Sequence, residues 1–149
     1  MRRMLKFLRS PARHQLLLMK TLLLMGSIRL ALSLLPFRVL DQLLKRFSQT
    51  SDKTRATETD RQDADRIAWA VASVHGYIPH ATCLTQALTA QFLLARHGCF
   101  SKLQIGVCKS AAGRLEAHAW VEYENRVLVG EIRDLRRYKP LFAGDSGNP

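Results

Sequence analysis

Three cysteines and five histidines are the side chains here that could attack a carbonyl carbon and move protons near neutral pH. Position separates them. Thr82 is a suitable helix N-cap, which places Cys83 in a first helical turn. Unpaired amides and the positive end of a helix stabilise a thiolate there. Cys99 follows an expected helix C-terminus, where a thiolate is disfavoured, and Cys108 ends an expected strand. Both read as structural or incidental. His14 lies in a basic segment, and His75 and His97 lie near helix C-termini, where a cation is favoured without catalysis. His80, close before Cys83, is a minor rival. His118 opens an expected strand between Ala117 and Ala119, whose small side chains leave room for another segment to approach the ring. Cys83 as nucleophile and His118 as general base is the pair suited to acyl chemistry through a thioester.

An imidazole base needs a partner for its other nitrogen. With Asn125-Arg126 as a two-residue turn, His118 faces Arg133 and Trp120 faces Glu131 across a hairpin. Side chains alternate, so Glu131 falls on the His118 face, one diagonal step away. Asp134 falls on the other face unless a bulge intervenes. Glu131 is therefore the expected third member and Asp134 the alternative. Glu122 shares the strand and face of His118 and reads as solvated or paired with a basic side chain. Trp120 is expected to pack under the His118 strand. The Cys83 amide is the expected oxyanion donor.

These residues need elements to hold them. Residues 65–75 place Ile67, Ala70, Val71 and Val74 at helical spacing before Gly76, and a helix start is expected near Asp63 or Asp65. A second helix is expected over 83–97, with Leu84, Ala87, Leu88, Phe92 and Ala95 as its buried stripe and Gly98 beyond its end. Strands are expected over 102–108, 118–124 and 127–131. Helices followed by antiparallel strands make an α+β fold. Three regions result: a basic, Leu-rich helical segment over 1–47, a polar linker over 48–62 and the site-bearing domain over 63–149.

The net charge of +11 is concentrated. Residues 1–47 hold ten Lys and Arg against one acid, Asp41, and the rest of the chain holds thirteen against eleven. No groove-reading motif and few aromatics accompany this charge, which argues against nucleic acid. The apolar run 16–35, expected to end or kink at Pro36, is interrupted by Lys20 and Arg29. Each would cost roughly 2–3 kcal/mol near a bilayer centre. The run is expected to pack on its own domain or on a partner, with association at a membrane surface the alternative and a true span the least favoured. No small-residue cleavage site follows it. An odd cysteine count argues for a reducing, cytoplasmic setting without a disulfide framework. No clustered His/Cys spacing suggests a metal, and no cofactor motif is present.

Four stretches together resemble the lasso peptide biosynthesis B2 protein family: Cys83-Leu84-Thr85-Gln86-Ala87-Leu88, Leu93-Leu94-Ala95-Arg96-His97-Gly98, Leu103-Gln104-Ile105-Gly106-Val107 and Ala117-His118-Ala119-Trp120-Val121-Glu122. Leu34-Leu35-Pro36-Phe37-Arg38 is similar to that family's front segment. The resemblance implies a papain/transglutaminase-like core, with the cysteine at a helix N-terminus packed on a small antiparallel sheet. It also implies a cysteine peptidase that removes the leader from a lasso peptide precursor; acyl transfer to an amine by the same thiolate and a non-catalytic, membrane-associated adaptor are the alternatives. Cys83 and His118 match the family's nucleophile and base, and Gly130-Glu131 stands where its acid falls, with Glu in place of the usual Asp. The implied partners are the precursor peptide, a separate small leader-recognition protein and the lasso cyclase.

Overall fold

The computed structural model describes residues 12–36, 38, 39, 42 and 57–141. The basic stretch 1–11 and residues 48–56 of the expected linker lie outside them. Helix α1 spans Ala12–Leu34, α2 spans Glu58–Val74 and α3 spans Cys83–Arg96. Strands β1 (Lys102–Lys109), β2 (Leu115–Tyr123), β3 (Arg126–Val129) and β4 (Lys139–Pro140) form one antiparallel sheet in the order β3-β2-β1-β4.

Helix α2 starts at Glu58, earlier than the expected Asp63 or Asp65. The cause is a capping box. Thr57 accepts from the Asp60 amide at 3.2 Å, and Asp60 accepts from the Thr57 amide at 2.8 Å. The end of the stretch read as linker is thus helix. Ala64, Ile67, Ala70, Val71 and Val74 are buried along one face. Helix α3 differs from expectation in its buried stripe. Leu84, Phe92 and Ala95 are only partly buried, whereas Thr85, Ala87, Leu88, Thr89, Ala90, Gln91, Leu93 and Leu94 are buried. A helix packed on α1, α2 and the sheet has no solvent face over most of its length.

Helix α1 ends two residues before Pro36 and docks on α2 and α3. Leu18 and Met25 join the core cluster that holds Ile67, Leu94, Val121 and Val129. Their burial contributes roughly 1.5–3 kcal/mol each. One face of the helix docks on its own domain, while Leu16, Met19, Leu23, Leu30 and Leu34 stay exposed. The helix is also long and apolar enough to cross a membrane, by length and composition alone.

The sheet turns one face to the helices. Ala119, Val121 and Tyr123 of β2 and Val129 of β3 enter the helical core, and Leu103 and Ile105 of β1 pack against it. The intervening residues, Gly106 on β1 and His118, Trp120 and Glu122 on β2, alternate to the opposite face.

Candidate functional site

Cys83 is the first residue of α3. Thr82 is its N-cap, in an extended conformation, and its hydroxyl accepts from the Thr85 amide at 3.3 Å. The amides of Cys83 and Leu84 have no acceptor within the helix. The thiol is free and partly buried, packed against the core with Ile78, Ala81 and Leu84. Cys99 and Cys108 are also free thiols, both buried. The Cys99 sulfur lies 3.5 Å from the Asp60 carbonyl, tying the end of α3 to α2.

Strand β2 begins at Leu115, so His118 lies inside the strand and does not open it. Its ring is partly exposed. Nε2 lies 2.6 Å from the Gly130 carbonyl oxygen. A carbonyl only accepts, so Nε2 carries the proton and Nδ1 is left as the basic nitrogen. The Trp120 ring stacks at 6.2 Å and 16° from the imidazole, and Tyr138 lies tilted at 5.6 Å. Trp120 is 4% exposed and donates its indole N–H to Glu122 at 2.9 Å. Glu122 is therefore held by an aromatic on its own strand, not by a basic side chain. Tyr138 reaches Glu116 at 3.5 Å, and hydrogen bonding with Cys108 raises its phenol above the ordinary value.

The hairpin differs from the expected register. Its turn is Glu124-Asn125, with φ of 48° and 62°, between the partners Tyr123 and Arg126. Positive φ at both central residues matches the twist of the strands. A bulge at Val121/Glu122 then brings Val129 opposite Val121, and β3 ends there. Gly130 follows with φ of 87°. A Cβ on it would lie 2.7 Å from the Ala119 carbonyl and 3.0 Å from the Trp120 backbone. This close approach aims its carbonyl at His118.

Glu131 lies beyond the strand, exposed, and makes no hydrogen bond with another described residue. Asp134 stands at the start of a short 3-10 turn and pairs with Arg137 at 3.7 Å. His80 is exposed with φ of 59° in the turn before α3. The group that holds His118 is thus a main-chain carbonyl that side-chain reasoning passes over. Its sequence signal is an isolated glycine after an apolar strand, the mark of a bulge or close backbone approach. Helix α3 packs on β2 through the face of Ala119, Val121 and Tyr123, whereas His118 alternates to the opposite face of that strand. The Cys83 sulfur and the His118 ring are not hydrogen-bonded to each other. Among the described residues, no group of three or more His, Cys, Asp or Glu could hold a metal.

Two ion pairs fix the hairpin tip to α2. Arg61 pairs with Glu124 at 2.7 Å, and Arg126 pairs with Asp65 at 2.6 Å. The Arg61 hydrogen bond holds the Glu124 carboxyl below its usual range.

A family profile described as the transglutaminase-like superfamily matches residues 31–143. Comparison with curated proteins gives no match, and neither does comparison with solved structures.

Proposed function

Because the chain belongs to the transglutaminase-like superfamily, whose members include cysteine peptidases and acyltransferases, we propose that it is a cysteine peptidase that frees a lasso peptide precursor from its leader. Its α+β fold, with helices α1 to α3 and a four-stranded antiparallel sheet among the described residues, fits the superfamily's core. The observation that carries the chemical part is the position of Cys83 at the head of α3, with the first-turn amides of Cys83 and Leu84 free. The four stretches that resemble the leader-peptidase family support the substrate.

In the proposed reaction, His118 Nδ1 takes the Cys83 proton and the sulfur attacks the carbonyl at the leader–core junction. The resulting imidazolium protonates the leaving core amine as the C–N bond breaks. Water then attacks the thioester, with His118 again taking a proton, and releases the leader as a carboxylic acid. The free first-turn amides of α3 receive the oxyanion. The chemistry requires the sulfur and Nδ1 to come within hydrogen-bond reach, and because His118 alternates to the face of β2 turned away from the helices, it requires the ring or its strand to move from this arrangement. The leader would be presented by a separate small recognition protein, and the lasso cyclase would take the released core.

Mass spectrometry of precursor incubated with this protein and the recognition protein tests the proposal. Cleavage that adds one water and disappears in Cys83→Ala is the expected result, and His118→Ala should slow it about 10²–10⁴-fold. A leader fragment carrying an amine in place of water would assign acyl transfer instead. Undiminished cleavage by Cys83→Ala would overturn the nucleophile.

A further inference from the structure

Among the described residues, a group of cations with a single carboxylate beside it lies at the other end of α3. A cavity of about 420 Å³ opens between α1, α2 and the C-terminal turn of α3. Leu16, Leu17, Ile67 and Leu93 supply its apolar wall. Arg13, Lys20, Arg66 and Arg96 stand around it with His14 and His97, against one carboxylate, Asp63. Asp63 is already engaged, with Arg66 at 3.6 Å and His97 at 3.9 Å. Arg13, Lys20 and Arg96 form no ion pair with any described residue. Cations gathered round a concavity repel one another and raise the local concentration of anions.

From this arrangement we infer that the groove is a docking site for an acidic peptide segment that inserts an apolar side chain. Acidic residues meet the arginine and lysine rim, and a leucine-like side chain meets the wall. The concavity selects against a bilayer, whose flat surface reaches the rim but not the wall. A phosphodiester backbone offers nothing to the apolar residues. Leu93 and Arg96 lie ten and thirteen positions after Cys83, which is about 15–20 Å along the helix. Some six extended residues would span that distance. A docked segment can therefore belong to a chain that also reaches Cys83, and docking does not depend on the reaction proposed there.

Fluorescence anisotropy with the full chain tests this. The probe is a labelled twelve-residue synthetic peptide of alternating Glu and Leu, with a Gln-and-Leu peptide and phosphatidylglycerol vesicles as comparisons. The acidic peptide should bind at low salt and the Gln peptide should not. Arg66→Glu combined with Arg96→Glu should weaken binding about tenfold or more, since charge reversal adds repulsion to the lost attraction. Leu16→Gln should weaken it without changing the charge. Cys83→Ala should bind as the parent does, which separates this site from the catalytic proposal. Circular dichroism checks that each variant is folded. Equal binding by the charge-reversed variant overturns the site. So does vesicle binding that needs Arg66 and Arg96 in a protein that ignores the peptide.

Discussion

The orientation of His118 rests on one hydrogen bond from Nε2 to the Gly130 carbonyl. That carbonyl is in place because Gly130 adopts φ of 87° against the β2 backbone. An alanine there meets both a left-handed conformation and a carbonyl oxygen at 2.7 Å. Gly130→Ala should therefore cost about 1–3 kcal/mol of stability. It should also lower turnover of the residual folded protein, read by urea titration beside precursor cleavage. Glu131→Gln separates the two available orienting groups. Retention of at least half the activity assigns the role to the carbonyl, and a hundredfold loss assigns it to the Glu131 carboxylate. The helix that Cys83 begins and the strand that holds His118 were legible, from an N-cap and from alternating apolar residues. The Gly130 carbonyl was not, because every residue carries a carbonyl and only the backbone path distinguishes this one.

At the level of elements, the ends of the helices decide where the chemistry-bearing residues stand. Thr82 caps the helix that Cys83 begins. Thr82→Ala should cost about 1 kcal/mol in chemical denaturation, with Thr82→Ser close to the parent. The start of α3 and the pattern of buried residues on α2 were readable from cap, glycine and spacing. The start of α2 was missed although Thr57 and Asp60 carry a capping-box pattern, because the polar composition around them resembles a linker. The hairpin register was missed for a different reason. Glu at the first turn position has no local preference for positive φ, and Arg61 of α2 grips its carboxylate from 63 residues away. That choice is tertiary, and a bulge then shifts the strand once more. Expectations about Glu131 rested on the unbroken register.

Across the whole molecule, one core joins α1, α2, α3 and the sheet. Tyr123 sits within it, and its buried hydroxyl has no hydrogen-bond partner among the described residues. Burial pushes its phenol up to about 12. The unfolded phenol titrates near 10. The unfolded chain therefore releases this proton first as pH rises, so the stabilisation is intact below pH 10 and is lost between about 10 and 12. The loss should be at most about 2–3 kcal/mol, measured by urea midpoints across that range. Tyr123→Phe should abolish this component and raise stability at neutral pH by roughly 1 kcal/mol, because it removes a buried hydroxyl without a partner. The sheet margins carry a different consequence. On one side β3 is only four residues long and borders a bulge. On the other, β4 contributes two residues, one of them Pro140, which has no N–H to offer. The outer edge of β1 that β4 leaves uncovered ends in Lys102 at one end and Lys109 at the other. Neither margin presents a long, flat, uncharged ladder for another chain to extend, so the folded sheet is a poor seed for fibril growth.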